Sequence, residues 1–183
     1  MTREEWLNRA AGRLLDELIR VPASGPAEAP ALKLSFGWPK GKKRSTIGQC
    51  FSKTVSADGK TFHIFISPRV ADTATVLSVL VHELVHAAVG TEAGHRGDFI
   101  RVAKRVGLVK PWTATTASPE LAAKLAGLAG ELGELPHVAM DVPGKTQTTR
   151  MKLWECGCGV KIRRAGELNA RCLDCGTLFA RRD

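Results

Sequence analysis

The chain has 183 residues, 44% of them apolar, and a formal charge of +9, which allows one compact domain with a real core plus a small appendage. No apolar run approaches the length of a bilayer span, and the N-terminus, MTREEWLNRAAGRLLDELIR, is charged and helical in pattern. These features argue against a membrane protein or a secretory leader, and for a soluble, cytoplasmic monomer.

Thr2 followed three residues later by Glu5 is a capping-box start, and Trp6, Ala10, Leu14, Leu18 and Ile19 continue at helical spacing to about Arg20. Val21 to Ala31 holds three prolines and reads as an extended connector. Leu32, Leu34 and Phe36 alternate with polar residues as in a half-buried strand. The loop after it sets Trp38 among Lys40, Lys42, Lys43 and Arg44, an arrangement that can stack on a base while its cations meet phosphates or can serve as a solvated turn. From Lys33 to Lys53 there are six basic residues and no acidic one, a bias toward a polyanionic partner such as DNA. Thr46 to Phe51 and Thr61 to Ser67 read as strands of an antiparallel hairpin turning at Ser56-Ala57-Asp58-Gly59. The second of them is placed to offer a free edge to an extended peptide. Cys50 reads as a small buried apolar residue and His63 as a half-exposed strand residue.

Asp72 to Gly90 carries the most informative pattern. Within an almost wholly apolar run, His82-Glu83-Leu84-Val85-His86 forms an HExxH sequence. On a helix the two histidines share one face and can reach one metal ion, whereas Glu83 projects about 100° away. That carboxylate is poorly placed as a ligand and well placed to take a proton from activated water. Burying three ionisable groups in five residues is costly without a metal or a function. Asp72 is expected as N-cap and Gly90 as a left-handed C-cap. His95, after eight intervening residues, is the expected third ligand, with Glu92 and Asp98 as alternatives. Asp98 is expected to cap a helix Phe99 to Val106 that closes over the site. Lys110 to Ala117, with Trp112, carries no assignable signal. Ser118-Pro119-Glu120 starts a further helix to about Leu132.

Pro136, Pro143 and Gly144 place a domain boundary near Thr149, giving domains 1–149 and 150–183. In the second, Cys156-x-Cys158 and Cys172-x-x-Cys175 are separated by thirteen residues, each pair followed by glycine. This spacing predicts a zinc ribbon whose four thiolates close a structural site. Arg150 to Asp183 holds eight basic residues against four acids, and Arg163 and Arg164 join the loop cations as expected nucleic-acid contacts.

HELVHA at 82–87, GHRGDF at 94–99, WECGCGVKIRR at 154–164 and ARCLDCGTLF at 170–179 together resemble the SprT-like zinc metallopeptidases, related to the Spartan proteases. The resemblance implies an α+β fold, a small antiparallel sheet packed on helices that include a zincin-like HExxH helix, plus a C-terminal β zinc ribbon. It implies two zinc ions per chain: a catalytic one on His82, His86 and His95 with Glu83 as general base, and a structural one on Cys156, Cys158, Cys172 and Cys175. It further implies a protein substrate, of the DNA-attached kind cleaved by better-known members. The interval from His86 to His95 is shorter than in the members compared, so Glu92 and Asp98 stay open as ligands. Two rivals are a nucleic-acid-binding zinc protein with a silent site and a non-proteolytic zinc hydrolase. The chain contains no tyrosine, which excludes any scheme needing a phenol; His63, His137 or an arginine would have to serve in its place.

Overall fold

The computed structural model describes residues 1–19, 30–39, 46–141 and 151–182. Residues 21–29 of the connector and 40–44 of the basic loop therefore lie outside the described residues, as does the segment 142–150 where the sequence places the domain boundary. The chain divides into two compact units, Met1–Asp141 and Val142–Asp183.

In the first unit α1 (Arg3–Leu14) begins at the capping box: Glu5 N–H donates to Thr2 Oγ1 and Thr2 N–H to the Glu5 carboxylate. Trp6, Leu7, Ala10, Ala11 and Leu14 are buried along one stripe, and the chain continues as a π-helical turn over Leu15–Ile19. The Trp6 indole N–H is satisfied by the Gly133 carbonyl at 2.8 Å. Three strands follow: β1 (Leu32–Phe36), β2 (Gly48–Phe51) and β3 (Phe62–Ile66), in the order β1-β3-β2. β2 is antiparallel to β3 as expected from the Asp58-Gly59 turn, and Asp58 anchors that turn by accepting from the Lys60 and Thr61 amides and the Thr61 hydroxyl. β1, however, runs parallel to β3, so the sheet is mixed. β3 lies between two neighbours and has no free edge, which corrects the expectation for Thr61 to Ser67. The outer edges of this sheet belong to β1 and β2.

β3 sends Phe62, Ile64 and Ile66 into the core against α2 (Thr73–Val89), whose Val76, Leu77, Leu80, Val81, Leu84 and Val85 are completely buried. Each such side chain contributes about 1.5–3 kcal/mol relative to exposure, so α2 is the best-anchored element of the unit. Asp72 caps it by accepting from Thr75 N–H at 2.7 Å. α2 stops at Gly90, whose φ of 87° is positive but whose ψ of 140° is not that of the expected left-handed cap. α3 (Asp98–Val106) then packs back on α2, and β4 (Leu108–Val109) and β5 (Thr116–Ala117) form a short ribbon that leads to α4 (Pro119–Leu132). Ser118 caps α4 through Leu121 N–H, with Pro119 in its first turn. Asp98 does not cap α3: it is the first helical residue, Gly97 occupies the cap position, and the carboxylate binds Arg101 one turn on.

The second unit contains β6 (Lys152–Glu155), β7 (Lys161–Arg164) and β8 (Ala180–Arg182) in the order β7-β6-β8. Among the described residues its buried cluster is Trp154, Cys156, Cys172 and Phe179.

Candidate metal centre

α2 places His82 and His86 one turn apart, and the 3-10 turn Thr91–Ala93 brings His95 back over them. His95 Nε2 lies 3.2 Å from His82 Nε2 and 3.2 Å from His86 Nε2. A tetrahedral shell with zinc–nitrogen bonds of ~2.0–2.1 Å has edges of about 3.3–3.4 Å, so the three nitrogens stand close to the spacing such an ion needs. Burial pushes His82 down to about 4 and His86 down to about 3, and it lowers His95. All three rings are therefore neutral lone-pair donors at neutral pH, converging where a cation would relieve their mutual repulsion.

The other two ligand alternatives point elsewhere. The Asp98 carboxylate holds Arg101 at 2.9 Å, and Glu92 lies against Gly90, where an added Cβ would come within 2.6 Å of its Oε2. Phe99, fully buried, forms the floor: its ring stacks on His86 at 4.3 Å and meets His82 and His95 with centroids at 5.0 Å.

Glu83 is buried on α2 beside β2. Burial pushes its carboxyl up to about 8, against the opposing pull of the Cys50 backbone N–H. Gly48 is required here, because a Cβ would stand 2.4 Å from Val79 Cγ1 and 2.6 Å from Glu83 Oε1. Cys50 is half-buried, and burial with the nearby Glu83 charge pushes its thiol up to about 12, an unreactive state. Sequence reading found neither Gly48 nor Thr115, whose Oγ1 lies 2.8 Å from His82 Nδ1. A glycine inside a short strand pattern signals close backbone approach; nothing local marks Thr115.

In the second unit the four thiols gather. All ligand atoms of Cys156, Cys158, Cys172 and Cys175 lie within 4.8 Å of one another, as do those of the three histidines. The sulfurs of Cys156 and Cys158 are 3.2 Å apart and those of Cys158 and Cys172 are 3.7 Å apart, near the ~3.8 Å edge of a zinc–thiolate tetrahedron. Gly159 and Gly176 turn back at positive φ and donate to the Cys156 and Cys172 carbonyls.

Of the sequence-predicted nucleic-acid residues, Trp38, Arg163 and Arg164 are described. Trp38 is 46% exposed and Arg69 stacks over its ring at 4.7 Å. Lys40, Lys42, Lys43 and Arg44 lie outside the described residues, and Arg163 and Arg164 are exposed on β7. His63 is bonded to Ser56, and His137 to Pro68 and Arg3.

A mixed α+β unit with a helix-borne HExxH pattern and three converging imidazoles, joined to a four-cysteine module, defines a zincin-like protein with a C-terminal zinc ribbon. Residues 20–119, more than half of the chain, match the SprT-like family, and the protein belongs to it. No match was found among curated proteins or solved structures. The family is associated with metallopeptidase-type activity, and both ligand sets are compatible with zinc. Among the described residues no helix is long and apolar enough to cross a membrane.

Proposed function

We propose that the protein is a zinc-dependent endopeptidase of SprT-like type that uses Glu83 as general base and acts on DNA-associated proteins. The observation that carries this reading is the meeting of three neutral imidazole Nε2 atoms on the helix that also bears Glu83. A closed structural site does not need that carboxylate. Zinc held by His82, His86 and His95 would supply Lewis acidity, lowering the pKa of water and polarising a carbonyl. Glu83, next to His82, acts as the carboxylate, a form that the charge of a bound metal would favour against burial, and in it accepts the proton of the attacking water and returns it to the leaving amine. β2 is the sheet's outer strand beside Glu83, and an extended peptide can pair along it.

The ribbon residues hold a second, structural zinc, because four thiolates fill the shell. Exposed Arg163 and Arg164, with Trp38 and the Lys40, Lys42, Lys43 and Arg44 loop, supply contacts to a polyanion. Reduced thiolates suit a cytoplasmic location.

The purified chain is incubated with a DNA-binding protein, with and without DNA, beside a Glu83→Gln variant. Cleavage that disappears in the variant and rises with DNA supports the reading. DNA binding without cleavage would favour the silent nucleic-acid-binding rival.

A further inference from the structure

His82 and His86 are treated differently at their far nitrogens. His86 Nδ1 is buried with no hydrogen-bond partner among the described residues, and its ring is held by stacking on Phe99. His82 Nδ1 instead meets Thr115 Oγ1 at 2.8 Å, across 33 positions of sequence. We propose that Thr115 is a positioning residue that fixes the Nδ1–H tautomer of His82, so that Nε2 faces the other two imidazoles with its lone pair free for a metal.

The chemistry follows from the ring. A neutral imidazole carries one N–H, and the nitrogen that donates determines which one can ligate. With Nε2 committed to the cluster, Nδ1–H must donate and the Thr115 hydroxyl accepts. Outer partners of this kind orient ligand rings and raise their basicity. Thr115 is delivered by a strap that leaves α3 and returns as β5. Val109 and Thr116 pair across β4 and β5, Ser118 N–H donates to the Gly107 carbonyl at 2.8 Å, and Ala114 N–H donates to the Pro111 carbonyl at 2.9 Å. The segment after His95 thus supplies Phe99 beneath the rings and then the hydroxyl behind His82. A methyl group in place of the hydroxyl would keep the strap's packing and remove only the acceptor.

This inference rests on the metal-site reading, and the test separates the two. Full-length wild type, Thr115→Ser and Thr115→Val are titrated with Co(II) against a competing chelator. Absorption of nitrogen-ligated cobalt is followed apart from the thiolate charge-transfer band of the cysteine site. Long-range ¹H–¹⁵N spectra of the metal-free proteins report the His82 tautomer. Thr115→Val is expected to weaken the histidine site by about 10–100-fold and to lose the single Nδ1–H tautomer. Thr115→Ser is expected to stay within a few-fold of wild type, and thermal unfolding of the three should coincide. Wild-type affinity and an unchanged tautomer in Thr115→Val would overturn the role of Thr115 while leaving the metal site standing. A wild type that takes up only the thiolate-held ion would overturn both.

Discussion

His82 and His86 ride on a helix whose apolar side chains are sealed in a core built from α1, the three-stranded sheet, α3 and α4, whereas the four cysteines sit on two turns and two of them, Cys156 and Cys172, themselves make up half of a buried cluster completed by Trp154 and Phe179. The first site is held in shape by packing that owes nothing to metal. Among the described residues the second has almost no packing to hold it, and a module of that size would depend on a bound ion for its fold. Ligand count separates them further: three imidazoles leave a tetrahedral position open for water, and four thiolates leave none. On the proposed reading, one chain joins a scaffold that would present an ion to a module that would be made by one.

The sharpest way to break this comparison is to remove metal. A strong chelator should unfold the ribbon, because structural zinc contributes ~10–16 kcal/mol of apparent binding energy, while α2 and β3 keep their amide-exchange protection. Protection that persists at Cys156 to Phe179 would contradict the account. His95→Ala should lose one of the two metal ions, with the thiolate-bound ion kept, as read by elemental analysis. Retention of both would return Glu92 or Asp98 to consideration.

Smaller effects sharpen the scaffold side. Gly48→Ala forces a methyl into Val79 and Glu83 and should cost about 1–3 kcal/mol by thermal unfolding, with the ribbon's metal content untouched. The smallest effect concerns Asp58, whose carboxyl is held well below the usual carboxylate range by the Thr61 hydroxyl and then by the Lys60 and Thr61 amides. A depressed folded-state value means this stabilisation is fully present above the ordinary carboxylate range and is lost as pH falls through the lowered value. Asp58→Ala should therefore raise amide exchange at Lys60 and Thr61 at neutral pH, with the difference from wild type vanishing in strong acid.

Much of this was legible in the chain because the signals were local. Thr2 and Glu5, Asp72, and Ser118-Pro119 each mark a helix start through side chains that bond within three residues. HExxH and the paired cysteines announce ligands through fixed spacing. What escaped depends on contacts between distant segments. The parallel pairing of β1 with β3 leaves no trace in the alternation of Leu32, Leu34 and Phe36, since burial pattern is indifferent to strand direction. Asp98 looked like a cap by residue type, but its ion pair with Arg101 and the Gly97 backbone decided otherwise. Thr115 reaches His82 only because a strap of unremarkable composition folds back through β4 and β5.

The claim at the centre of the account is that the histidine site is catalytic and the cysteine site is not, and peptide hydrolysis by Glu83→Gln at full metal occupancy tests it most directly. Loss of a general base predicts a fall in kcat of about 10²–10⁴-fold with both ions still bound. Hydrolysis at the wild-type rate in that variant would contradict it.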